Sequence, residues 1–364
     1  MVASAIAQGF RVNPHLRPKS SSKPALRQLH NARRVEQIRS HRATLREVLE
    51  EVKEHSIEGG NLDPENIRLR LIEVRTGSLE SRIYFWWNLV WWSIPYEQPI
   101  GRQLRFLLWD DGHDAPFGLL GLQSPPLNMA ARDRYLKLTP GGLDYWVNQS
   151  LSAHRIGALP PYNMLLGSKM VALTASCKEL RQIYARKYKD TRTVLRKRHL
   201  PAKLLFVTTT SAYGKSSVYD RLTYNGEDVC TYLGLTKGEG TFQLTDELYK
   251  GLLTLLKTKG TSVERKGFKR GTSRKLRLVD RALDALGLDF LNHGVQRGVY
   301  LFPHAQNLGN VVSFNRRPLW RNWTFNELFR FWHHRWAIPR SKRDPRWQLF
   351  ATTPFFKKAS RMLK

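Results

Sequence analysis

Three strings decide the fold: PPYNMLLGSKMVALTA at 160–175, LLFVTTTSAYGKSSVYDRL at 204–222 and YLGLTKGEGTFQL at 232–244. Apolar residues recur at helical spacing from Met164 to Tyr184, which predicts a helix entered through Gly167-Ser168. Leu204–Thr209 is a short apolar, β-branched run suited to a buried strand. A small-residue loop around Gly214 follows, then a helix opened by Ser216-Ser217 and a strand at Tyr232. The order is helix, strand, loop, helix, strand.

Upstream, Arg102–Trp109 and Pro116–Leu122 read as two strands joined by the polar turn Asp110-Asp111-Gly112-His113-Asp114. Together these elements predict an α/β (α+β) architecture, a mixed central sheet with flanking helices. Residues 35–52 carry a helical pattern, Asp63-Pro64-Glu65 reads as the cap of a second helix, and Tyr84–Trp87 with Trp91-Trp92 forms an aromatic segment. Downstream, Leu276–Leu286 has helical periodicity, Val299–Phe302 reads as a short strand, and Thr324–Trp336 as an amphipathic helix stopped by Pro339. Four regions result: a flexible basic arm at 1–34, a helical region at 35–98, an α/β core at 99–250 and a basic, Trp-rich C-terminal region at 251–364. The arm is expected because its composition, rich in Ser, Pro, Arg and Lys and free of acids, offers little apolar surface against chain entropy. An overlong gene start would leave the same composition.

Charge is the strongest constraint on function. The 364 residues hold 60 Lys plus Arg against 30 Asp plus Glu, a net +30, with 41% apolar content that is ample for a core. Such self-repulsion fits a polyanionic partner. The cations cluster at 181–203, 257–281 and 314–347, the last interleaved with Trp320, Trp323, Trp332, Trp336 and Trp347. Cations beside aromatic faces hold phosphates and stack bases. The expected nucleic-acid contacts are Arg196, Lys197, Arg198, Lys266, Lys269, Arg270, Arg274, Lys275, Arg316, Arg317, Arg335, Trp336 and Arg340. With two cysteines, Cys177 and Cys230, there is neither a disulfide framework nor a cysteine zinc site, which fits a cytoplasmic protein. Ile83–Trp92 is too short to span a membrane.

These strings, with GRQLRFLLWDD (101–111), PFGLLGLQSP (116–125), ARDRYLKLT (131–139), HGVQRGVYLFP (293–303) and FRFWHHRWAIPR (329–340), resemble the DruA family of the Druantia anti-phage systems, whose domain also occurs with transposases in mobile elements. The resemblance spans roughly residues 39–340 and implies defence or mobile DNA, with a helicase or transposase partner. It defines no reaction and no cofactor. The order of elements is also similar to that of GCN5-related acyltransferases.

Several motifs bear on chemistry. Gly214-Lys215-Ser216 ends like a phosphate-binding Walker loop, but Thr209 stands where the first Gly is required, so the loop is read as a single phosphate site at a helix start. The acyltransferase analogy places a pyrophosphate loop at Asn163–Lys169. Of its pattern Gly167 matches and Met164 and Lys169 do not, leaving Gly167, Ser168 and Lys169 as candidate cofactor contacts. The candidate catalytic groups are Tyr213 and Tyr219 as phenol acids, Lys215 and Arg132. The turn carboxylates Asp110, Asp111 and Asp114 with His113 are read as turn formers, and His333-His334 cannot share a helical face, so no metal site is expected. The preferred reading is a DNA-binding protein. The alternatives are an acyltransferase-like enzyme modifying DNA, and a recruitment subunit docking through the aromatic segment near Trp86.

Overall fold

The computed structural model describes residues 1–12, 15–193, 197–263 and 274–364. At its centre is a seven-stranded mixed sheet of β1 (Leu69–Glu73), β2 (Gln103–Asp110), β3 (Ala115–Gln123), β4 (Ser150–Ala158), β5 (Phe206–Thr210), β6 (Thr231–Leu235) and β7 (Gly298–Pro303), in the spatial order β6-β7-β5-β4-β3-β2-β1. All neighbours run antiparallel except β4 and β5. That pair is in register over Ser150–Ala153 opposite Phe206–Thr209, so the last five residues of β4 extend past its partner. The Trp92 ring closes over this notch: a Cβ at Gly157 would come within 2.9 Å of it. Arg155 pins the same segment to the sheet by donating to the carbonyls of Ile94 and Pro95 and to Asn88 Oδ1.

The principal helices are α1 (Leu79–Val90), α2 (Gly167–Thr174), α3 (Lys178–Tyr188), α4 (Asp246–Thr258), α5 (Arg274–Asp284), α6 (Phe325–Trp332) and α7 (Thr352–Met362). Strand alternation sends Leu104, Phe106 and Leu108 to the face covered by α2, α3 and α6, and Leu107 and Trp109 to the face covered by α1, α7 and the helices within 31–54. The aromatic segment belongs to the second core. Trp86 and Trp87 are buried against Phe355 and Phe356 of α7. At about 25 cal/mol per Å² and roughly 150–250 Å² per ring, each contributes about 4–6 kcal/mol of burial before chain entropy is set against it. The surface expected for recruitment at Trp86 is therefore interior.

Other expectations are corrected by tertiary context. Residues 1–12 and 15–34 are folded, not a free arm: Phe10, Leu16, Leu26 and Leu29 bury against α4, α5, Phe290 and Val295, so apolar partners elsewhere in the chain supply what the local composition lacks. After Asp63 the chain makes a single 3-10 turn at Pro64–Asn66 and enters edge strand β1; the second helix is α1, capped by the Ser78 side chain. The long helix predicted from Met164 is divided into a 3-10 turn (Tyr162–Leu165), α2 and α3, since Leu166 is left-handed at φ 60° and Cys177 is extended. No helix follows Gly214; residues 216–222 form turns whose Ser216 N–H bonds Tyr300 Oη. Pro339 does not stop the C-terminal helix, because a π turn at His333–Ala337 widens the backbone ahead of the ring and the chain continues to Arg343. Among the described residues no helix is long and apolar enough to cross a membrane.

Candidate functional site

Near the carboxyl ends of β4 and β5, three chain segments meet in a cleft of about 600 Å³ lined by Lys169, Ser217, Asp220, Arg221, Thr223, Arg335 and Trp336. Lys169 comes from the first turn of α2, Arg221 from the turn after β5, where it takes a left-handed φ of 59°, and Arg335-Trp336 from the π turn after α6. Packing behind the cleft aligns them: Trp332 is buried edge-on against Phe117, 5.2 Å between centroids, and its Nε1 donates to Leu166 O at 3.1 Å. That bond fixes the entry to α2 relative to the C-terminal helix.

The Lys169 ammonium donates to the Val218 carbonyl at 3.2 Å and lies 5.2 Å from the Trp336 ring centroid. Backbone carbonyls thus supply its negative partner, and burial, opposed by Cys230 and Asp220, lowers its pKa. Asp220 accepts from Tyr300 Oη at 3.0 Å, and burial raises that phenol to about 12. Arg221 and Arg335 are exposed and form no ion pair among the described residues. A smaller pocket of about 260 Å³ adjoins, sharing Asp220 and Arg221 and adding Tyr219, Cys230 and Tyr232. Lys215 Nζ stands 4.7 Å over the Tyr232 ring.

The structure therefore brings Lys169, Arg335 and Trp336 together, with Lys215 and Tyr219 at the adjoining pocket, and places other candidates elsewhere. Tyr219 is buried against Tyr300 and Phe302, and burial pushes its phenol up. Tyr213 belongs to the core around α4 and α5, with its hydroxyl 3.3 Å from Ser93 Oγ. Arg132 is 0% exposed; it binds Asp133 and donates to the carbonyls of Pro126 at 2.9 Å and Leu127 at 2.6 Å, so no substrate reaches it. Gly167 is buried and the Ser168 hydroxyl accepts from Ala158 N at 3.1 Å, so these two serve packing. Asp110 is likewise internal, accepting from Tyr162 Oη and His113 Nδ1. His333 bonds Pro64 O, while His334 is exposed.

Of the expected nucleic-acid contacts, Arg196, Lys266, Lys269 and Arg270 lie outside the described residues, and Arg274 opens α5. Lys197, Arg316 and Arg317 are exposed. Arg198 pairs with Asp144 at 2.5 Å and Arg340 with Asp344 at 2.6 Å, while Lys275 packs 5.0 Å over Tyr249. Sequence reasoning missed Arg221 as a site residue. Its only local signal was its place on the loop after β5, where Lys215 and Arg221 are the two cations before β6, and its place in one cleft with Arg335 depends on how α6 packs.

Compared with known proteins, the chain is 29% identical over 346 residues to the Druantia protein DruA of Escherichia coli (strain UMEA 4076-1), covering 94% of this chain and 85% of that protein. No solved structure matches it. The family profile described as Druantia protein DruA matches residues 20–313, well over half of the chain, and the chain belongs to the DruA family.

Proposed function

We propose that the protein is a DNA-binding component of an anti-phage defence system. The observation that carries this reading is the cleft, where Lys169, Arg221 and Arg335 converge beside Trp336 and the carboxylate among its lining residues, Asp220, is already held by Tyr300. Cations next to an indole face suit a phosphate backbone whose bases stack. The net charge of +30 supports the same partner, and the name of the Escherichia coli relative supports the defence setting. In this reading a helicase or transposase partner acts on the DNA that this chain holds. The test is fluorescence anisotropy of a labelled oligonucleotide across a salt series. Affinity falls steeply with salt, and Arg221→Ala with Arg335→Ala lowers the slope by about two. A flat salt response, or no binding at low salt, refutes it.

The sheet order supports a second reading, an acyltransferase-like enzyme. What supports it is the lone parallel pair β4–β5, joined through α2 and α3, with a cleft between the start of α2 and the turn after β5; the turns at 216–222 stand where the order of a GCN5-related core has a helix. Titration with acetyl-coenzyme A tests it. Saturable binding lost in Arg221→Ala supports the reading, and absence of binding ends it.

A further inference from the structure

At the other end of the β4–β5 pair, where the two strands begin, the chain leaves β7 and forms a short helix, Leu308–Phe314, followed by a tip, Asn315–Leu319. One face of the helix is core: Leu308, Val311 and Val312 bury with Leu136, Leu205, Phe206 and Leu301. The tip does the opposite. Phe314 is 70% exposed and Leu319 59% exposed, and between them stand the exposed Arg316 and Arg317.

The tip is held in place by its own chain. Asn315 caps the helix at a left-handed φ of 50°. Asn307 donates through Nδ2 to Arg317 O at 3.0 Å and accepts from Leu319 N at 2.8 Å, and Gln306 N donates to Leu319 O at 2.8 Å. Pro318 between them is buried. Two large apolar side chains are thus presented largely to water at the end of the helix and on the tip that follows it. The tip itself carries cations and no acid: no Asp or Glu occurs in the sequence between Asp289 and Glu327, Arg316 and Arg317 form no ion pair among the described residues, and Glu227 pairs with Arg321 beyond the tip.

We propose that this tip is a DNA wedge: Phe314 and Leu319 enter a base step of duplex DNA from the minor groove, and Arg316 and Arg317 hold the phosphates on either side. The inference rests on the DNA-binding reading and specifies how one surface performs it. Apolar wedges flanked by arginines unstack a base step and bend the duplex, and the bend brings more phosphate against the protein. Charge complementarity selects this occupant over a protein surface, because the tip offers no acid to pair with a partner's cations.

The experiment uses the full chain with duplexes carrying 2-aminopurine at successive positions and donor and acceptor dyes at the ends. On binding, 2-aminopurine fluorescence rises at a step and the end-to-end distance shortens. Phe314→Ala with Leu319→Ala abolishes both signals and weakens binding about tenfold, because stacking on the wedge is lost. Arg316→Ala with Arg317→Ala also weakens binding and reduces the salt slope. All four side chains are exposed, so the thermal midpoint is unchanged and serves as the folding control. Duplex binding with no fluorescence rise at any step, or a Phe314/Leu319 variant that bends DNA as the unaltered protein does, overturns the wedge and leaves DNA binding standing. If that variant keeps both DNA signals but no longer captures a co-expressed protein of the same defence system, the tip is a protein-docking site. Failure of the unaltered protein to bind any duplex at low salt removes the wedge together with the reading beneath it.

Discussion

Replacing Gly167 by Ala tests whether this glycine serves packing or close approach of a ligand. A Cβ there would lie 2.7 Å from Tyr162 O, 2.8 Å from Ala158 Cβ and 2.9 Å from Phe117 Cζ. Two of these neighbours belong to or are fixed by backbone, and Phe117 cannot retreat freely because the Trp332 ring stands edge-on 5.2 Å away. Overpacking of this kind costs about 1–3 kcal/mol. Against it, Ala gains up to about 1 kcal/mol from helix propensity and a less flexible unfolded chain, a gain at its smallest in the first turn. The net is a destabilisation of about 1–2 kcal/mol, which lowers the melting temperature by a few degrees at roughly 2–4 °C per kcal/mol. Urea and thermal unfolding of the two proteins measure it directly. An unchanged or raised midpoint would show that the cradle has room for a methyl group. Unchanged stability combined with lost DNA or coenzyme A binding would return Gly167 to the role of a ligand-approach residue.

Two further outcomes follow from buried polar groups. Arg132→Met leaves Asp133 without its guanidinium and the carbonyls of Pro126 and Leu127 without a donor, at a cost of about 3–5 kcal/mol in chemical denaturation; a catalytic arginine would instead lose function at constant stability. His30 and His304 are fully buried, and burial lowers each from 6.5 to about 3, helped by Arg297 at His30 and by Arg181 at His304, where a bond to the Ala175 backbone opposes the shift. The unfolded chain takes up their protons first, so the stability they contribute is complete above pH 6.5 and is lost as pH falls from there toward 3, up to about 2 kcal/mol each by pH 5. A denaturation midpoint that stays flat from pH 7 to 5 would contradict this assignment.

The strands at 102–109 and 116–122 were legible because the polar turn between them and their apolar runs are local signals, and β2 and β3 fall within a residue or two of expectation. Strand β4 was not legible. Ser152, His154 and Arg155 interrupt its apolar pattern, and it becomes a strand because β3 and β5 satisfy its backbone on both sides. The same contrast holds for the site. Lys169, Arg335 and Trp336 could each be picked out as a cation or an indole near a helix, whereas Tyr213 and Arg132 carried equally attractive chemistry and face the interior.

Net charge, cation clusters, the alternation of apolar residues and the family-bearing strings are properties of the chain in any conformation, so the sequence alone determined the class of fold and the family, and it carried the expectation of a polyanionic partner that the proposed function rests on. Which cations stand free, and which are consumed by Asp144, Asp344 or a backbone carbonyl, was decided by the tertiary structure. The physical reason is distance. Arg221 and Arg335 meet because Trp332 locks α6 against Phe117 and Leu166, and contacts between residues so far apart in sequence exist only after the chain has packed.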